Sequence, residues 1–259
     1  MEFQRVTEIR SRDGHTVPAY LWIPAGTRAA VAVAHGYGGC KEQMLGLAAR
    51  IAERGMAACA LDLRGHGEHP APLGPGLLWD LEATIDWLRR FGRVGAVGHS
   101  LGGRLALMSS ADVVAALSPA LTDRPSEEGR TMLVRVGGTA VRSPAPETIL
   151  EILRVLPPAP VVDRPTLLLH GAGDIPPLVH GLRAFAAALP RAELRPITRS
   201  QHQPGAFPPA ILGYLHAWLN HIDLKANDEV YVEAPGWLAG QLLDAATGVA
   251  DGAAPRRDG

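Results

Sequence analysis

Short apolar runs alternate with longer segments whose apolar residues recur at helical spacing along most of the 259 residues. A run of four to eight apolar residues between turn formers suits a strand buried on both faces, whereas spacings of three and four suit a helix with one buried stripe. Residues 6–10 and 17–24, separated by Ser11-Arg12-Asp13-Gly14, predict an opening antiparallel hairpin. Residues 29–34 predict a buried strand, 42–54 a helix and 56–61 the next strand. Leu77, Leu78, Leu81, Ile85 and Leu88 give helical spacing within 77–91. A strand at 94–97, a helix at 101–110 and a buried strand at 113–117 follow. From 122 to 164 the alternation breaks in a stretch rich in Pro, Arg and Gly, with one apolar helix expected at 147–156. It resumes with a strand at 166–169, a helix at 177–189, a strand at 193–197 and a helix at 209–221. Beyond Asp223 come a strand-like Val230-Tyr231-Val232, a helix over 237–246 and an end expected to be disordered from Gly248. Strands alternating with helices predict the α/β class, a mostly parallel sheet covered by helices.

Composition narrows the function. A net charge of −1 leaves no electrostatic footprint for nucleic acid or an anionic membrane. Cys40 and Cys59 are too few for a disulfide framework and lack metal-ligand spacing. The first 12 residues are charged and no apolar run approaches membrane-spanning length, so a soluble, cytoplasmic protein is expected. His66 and His69 have no ligand set to complete a metal site, and neither metal nor cofactor is expected.

The chemistry centres on Gly98-His99-Ser100-Leu101-Gly102, set between a predicted strand and a predicted helix. This is the nucleophile-elbow pattern, in which a strained serine is presented at the end of a strand and small residues flank it. A serine hydroxyl needs a general base and an orienting acid. Asp174 closes a small-residue loop, His170-Gly171-Ala172-Gly173-Asp174, after a buried strand. It is the first candidate acid, with a helix N-cap before Pro176 as its other reading and Asp123 as the second candidate. His202 lies in a polar segment at 199–205, and the order Ser, Asp, His makes it the candidate base. His180, His216 and His221 fall on helical patterns and read as structural; His99 reads as packed against the sheet. For the oxyanion, the backbone N–H groups of Leu101 and of Tyr37, in His35-Gly36-Tyr37-Gly38-Gly39, are the candidate donors. Neither glycine-rich phosphate motif is present.

In this order the motifs resemble the serine esterase, lipase and acylaminoacyl-peptidase group of α/β-hydrolases. They are His35 to Gly39, Asp62-Leu63-Arg64-Gly65-His66-Gly67, Gly98 to Gly103, His170 to Asp174 and the His202 loop, and they span roughly residues 5 to 222. His35-Gly36-x-x-Gly-x-Lys, ending at Lys41, is most similar to cinnamoyl- and feruloyl-type esterases and the dienelactone-hydrolase-like branch. Dienelactone hydrolases themselves carry Cys where this chain has Ser100. The resemblance implies an α/β-hydrolase fold: an eight-stranded, mostly parallel sheet with helices on both faces and a short lid insert at 122–164. It implies Ser100 as nucleophile, Asp174 as acid, His202 as base and Tyr37 and Leu101 as oxyanion donors. Gln201 stands where the family often has Gly before the base, and residues 223–259 form an extension, beyond the 1–222 hydrolase domain, without family counterpart.

The function expected is cleavage of a small or medium carboxylic ester through an acyl-enzyme on Ser100. The insert is short for a deep lipid tunnel, and Ile149, Leu150, Leu153 and Leu156 are expected on an acyl pocket. An acyltransferase or thioesterase, an amidase or peptidase, or a non-catalytic binding protein with the same fold are the alternatives. The only partner expected is the small ester, unless the extension joins subunits in a homo-oligomer.

Overall fold

The computed structural model describes residues 1–198 and 217–244. One eight-stranded sheet organises them, in the order β1-β2-β4-β3-β5-β6-β7-β8. The strands are β1 (Glu2–Val6), β2 (Ala19–Ile23), β3 (Ala29–Ala34), β4 (Ala57–Leu61), β5 (Arg93–His99), β6 (Val113–Leu117), β7 (Thr166–Gly171) and β8 (Ala192–Ile197). The β1–β2 and β2–β4 pairs are antiparallel and the other five pairs are parallel. The expected sheet is therefore present, with one shift at its edge. β1 is Glu2–Val6 rather than 6–10, paired so that Val6 faces Ala19, and 10 contributes only a bridge to Thr16. The apolar residues of 6–10 are Val6 and Ile9, three apart, and a strand puts such positions on opposite faces.

Strands β3, β4, β6 and β7 are buried on both faces, as their uninterrupted apolar runs require. One face is covered by α1 (Leu45–Glu53), which a 3-10 turn at Lys41–Met44 introduces. The other carries α2 (Leu77–Leu88) and α3 (Leu101–Met108), and α6 (Pro176–Ala188) packs there through Leu182. Two further helices, α4 (Glu127–Ala140) and α5 (Thr148–Val155), form the insert. α4 was not expected, because Gly129, Gly137 and Gly138 interrupt its pattern. Its start is nonetheless encoded: the Ser126 hydroxyl accepts from the Gly129 N–H at 3.2 Å, and Glu127 and Glu128 occupy the first turn.

The last described helix, α7 (Asp228–Leu242), joins α1 on its face of the sheet. It replaces the strand expected at 230–232. Val230, Ala234, Leu238 and Leu242, four apart, make one buried stripe, and that stripe outweighs the strand preference of two valines. Asn227 caps the helix by accepting from the Glu229 N–H at 2.8 Å.

Two arginines tie the insert to the elbow helix. Arg104 of α3 donates to the carbonyls of Leu156 (2.9 Å) and Pro157 (3.2 Å) at the insert's end, and of Ala120 (3.4 Å) at its start. Arg164 satisfies carbonyls at the C-terminus of α3, among them Ala111 at 3.0 Å. No helix of the described residues is long and apolar enough to cross a membrane.

Candidate active site

Ser100 sits between β5 and α3 with φ 51° and ψ −112°, a strained conformation for a residue with a side chain. The neighbouring glycines make it possible. A Cβ on Gly98 would lie 2.3 Å from the Gly102 carbonyl, and one on Gly102 would lie 2.4 Å from the His35 oxygen. The turn is locked by its backbone: Ser100 N–H donates to Leu117 O at 2.8 Å, and Ser100 O accepts from Arg104 and Ala120 N–H at 3.0 Å. The Leu101 N–H opens α3 and has no hydrogen-bond partner among the described residues.

Opposite lies the loop after β3. Two buried histidines fix it. His35 Nδ1 faces Gly36 O at 2.7 Å, while its Nε2 accepts from Leu63 N–H at 3.1 Å. His66 Nδ1 faces Arg64 O at 3.0 Å, and its Nε2 accepts from Gly38 N–H at 3.0 Å. Burial holds both rings neutral, pushing His35 down to about 4 and His66 to about 3. With Gly38 N–H taken by His66 and Gly39 N–H by Gly36 O, the Tyr37 N–H is left without a partner among the described residues. The remaining residues of the Asp62–Gly67 motif are structural: Asp62 accepts from Lys41 N–H and Nζ, each at 2.8 Å, and Arg64 pairs with Asp80 at 2.7 Å and Asp13 at 2.8 Å.

Asp174, at the end of the β7 loop, is buried. Its Oδ1 accepts from Ile175 N–H at 2.7 Å and lies 3.1 Å from His221 Nδ1; its Oδ2 accepts from the Ser118 hydroxyl. Burial alone would raise this carboxyl. The neighbouring His221 imidazole and the hydrogen bonds from His221, Ser118 and Ile175 outweigh it and hold Asp174 below the usual carboxylate range. Ser118 has φ 42°, a second non-glycine residue in the left-handed region, immediately after β6. His99 is buried beside Ser100, and its Nε2 donates to His221 O at 2.7 Å, with the two rings 4.8 Å apart. That places His99 behind the imidazole rather than packed only on the sheet. Asp123 is exposed on the insert.

A cavity of about 370 Å³ joins these parts, lined by Tyr37, Ser100, Leu101, His99 and His221 and roofed by residues of α4 and α5. α4 lies directly on the loop after β3: a Cβ on Gly38 would come 2.3 Å from Val136 Cγ1. Ile149 and Leu153 line the cavity. Leu150 and Leu156, expected beside them, are buried in the same core cluster but do not line the cavity, because α5 turns only a narrow face to it. Among the described residues, no group of three His, Cys, Asp or Glu is placed to hold a metal ion. His202 lies outside the described residues.

A family model described as serine aminopeptidase matches residues 25–121, from β3 through the elbow to the end of β6. Solved structures share the fold. The chain is similar to a thermophilic esterase from Thermogutta terrifontis, solved with malate bound (TM-score 0.64, 17% identity, covering 92% of this chain and 99% of that one). The chain has the α/β-hydrolase fold. The dienelactone hydrolase from Anabaena variabilis (TM-score 0.60, 18% identity, 93% of this chain and 100% of that one) shares this fold. So does Est1E from Butyrivibrio proteoclasticus, solved with ferulic acid (TM-score 0.55, 19% identity, 71% and 86%). No curated protein sequence matches the chain.

Two residues of the candidate site escape sequence reading. His221 falls at the end of a helical pattern, and residues 217–223 are indeed helical, but they lead into the site. The signal was the tail: once α7 covers the sheet as its last helix, the connection before it includes His221. Ser118 had a weaker signal, a lone polar residue closing an all-apolar strand.

Proposed function

We propose that the chain is a serine carboxylic-ester hydrolase acting through an acyl-enzyme on Ser100, with His221 as its base and Asp174 as its acid. One observation carries the assignment: His221 Nδ1 lies 3.1 Å from the Asp174 carboxylate while the same imidazole lines the cavity of the strained Ser100. In that arrangement Asp174 holds the Nδ1–H tautomer, which leaves Nε2 with a lone pair for the Ser100 proton. Ser100 Oγ attacks the acyl carbon as His221 takes its proton. The N–H groups of Tyr37 and Leu101 receive the oxyanion. His221 then returns the proton to the leaving alcohol, and a water molecule, deprotonated by the same imidazole, releases the acid. A cavity of about 370 Å³ supports small or medium esters. Transfer of the acyl group to another alcohol or amine would use the same groups and differ only in the acceptor.

His221→Ala, His202→Ala and wild type compared on p-nitrophenyl butyrate test the assignment. His221→Ala is expected to lower kcat by about a thousandfold or more, and His202→Ala by less than about threefold. The reverse order would move the base to His202. Wild type inert on a panel of p-nitrophenyl esters would overturn the esterase reading.

A further inference from the structure

The cavity at Ser100 is apolar over most of its described wall, through Leu133, Val136, Ile149, Leu153, Leu178 and Trp218, yet two cations stand on it. Lys225 lies four residues after His221, and Arg124 lies at the exposed mouth on the insert. No Asp or Glu is among the described lining residues.

Lys225 is built differently from Lys41, the other lysine of the chain. Lys41 Nζ is enclosed by three carboxylates, Asp62 at 2.8 Å and Glu42 and Glu68 at 2.9 Å. Lys225 Nζ donates to the Ile222 carbonyl at 3.0 Å and forms no ion pair among the described residues. An ammonium carries three donors, and that carbonyl takes one. Burial pushes the amine below the ordinary lysine range, and the charge of Asp223, outside the lining residues, offsets this only in part. An apolar side chain would cover the same wall without the cost of desolvating a charge. A cation on the wall of a substrate cavity becomes favourable when the ligand supplies its counter-charge.

We propose that the ester this chain cleaves carries a carboxylate, which pairs with Lys225 while the ester carbonyl sits at Ser100. The inference rests on the esterase reading of Ser100. Arg124 at the mouth would act earlier, drawing the anion toward the cavity. The substrate class is then an acidic ester, either a monoester of a dicarboxylic acid or an ester whose alcohol part bears the carboxylate.

Binding and turnover, measured separately, test this. Calorimetry on Ser100→Ala, which keeps the ligand intact, compares monomethyl adipate with methyl hexanoate and 4-carboxyphenyl acetate with phenyl acetate. At least one acidic ligand is expected to bind about tenfold more tightly than its neutral match, and adding Lys225→Met is expected to bring that ratio to about one. Lys225→Arg, which keeps the charge, should retain part of it. Turnover by the chain with Ser100 intact should show the same preference in kcat/KM. Equal binding of acidic and neutral ligands in both pairs, or a preference that survives Lys225→Met, would overturn the proposal. Preferential binding without turnover would support the anion site and count against the esterase reading. Turnover of neutral esters with no acid preference would do the opposite.

Discussion

His66 holds the loop after β3 that carries Tyr37, the proposed oxyanion donor, and removing its ring should cost catalysis more than binding. Its Nε2 accepts from Gly38 N–H at 3.0 Å while Nδ1 is turned to Arg64 O, also at 3.0 Å. Burial pushes its pKa to about 3, so Nε2 keeps its lone pair through neutral pH. In His66→Ala the Gly38 N–H loses its acceptor in a half-buried loop, at a cost of about 1–3 kcal/mol to that conformation. Tyr37 N–H belongs to the same run of peptides, and its aim at the oxyanion depends on that conformation. If the loop's cost appears in the barrier, about 1–3 kcal/mol becomes roughly a 5- to 150-fold loss in kcat. This falls below or within the roughly 10²–10³ that follows complete loss of one oxyanion donor. Steady-state kinetics on p-nitrophenyl butyrate should show that loss in kcat with KM changed by less than about threefold. His66→Gln, whose amide oxygen can accept, should recover part of it. A folded His66→Ala with wild-type kcat would refute the reasoning, as would a Gln variant no better than Ala.

Three further outcomes follow from the geometry. Gly102→Ala puts a Cβ 2.4 Å from His35 O and 2.6 Å from Ala34 O, so α3 must move off β3; a loss near 3 kcal/mol should lower the melting temperature by about 6–12 °C, and an unchanged melting curve would contradict it. Ser118→Ala removes the hydroxyl that donates to Asp174 Oδ2, leaving a more basic carboxylate; the acid limb of the pH profile of kcat/KM should move upward and kcat should fall, whereas an unmoved limb would reduce Ser118 to packing. Folding stability should drop in mild acid. His35 and His66 stay neutral in the fold down to about 4 and about 3, but in the unfolded chain they protonate near 6.5, so their contribution is present above 6.5 and lost as pH falls below it. Two protons taken up on unfolding make denaturant-measured stability fall by about 4 kcal/mol between pH 7 and 5, and a flat profile there would count against neutral buried rings.

Features set by near neighbours in the chain were readable from sequence. The elbow needs only a strand, two flanking small residues and a helix start, and all lie within 93–108. The strands β3, β4 and β6 announce themselves because burial on both faces leaves nothing polar in the run. What failed depended on distant packing. The Val230-Tyr231-Val232 segment reads as a strand until the stripe Val230, Ala234, Leu238 and Leu242 finds the sheet face next to α1. With a helix expected over 209–221, His221 reads as structural from sequence, and its contact with Asp174, 47 residues earlier, has no local signature. α4 is hidden by its glycines, one of which, Gly137, is buried where a Cβ would lie 2.6 Å from the Tyr37 hydroxyl. Leu150 and Leu156 show the same limit: the sequence marks α5 as broadly apolar, but which arc faces the cavity depends on tertiary packing that has no local signature.

The claim that Ser100 is the nucleophile is tested most directly by intact-mass spectrometry after exposure to a fluorophosphonate, followed by peptide mapping. Wild type is expected to gain one phosphonyl group, located on Ser100, and Ser100→Ala to gain none. An unlabelled wild type, or equal labelling of Ser100→Ala, would contradict the account.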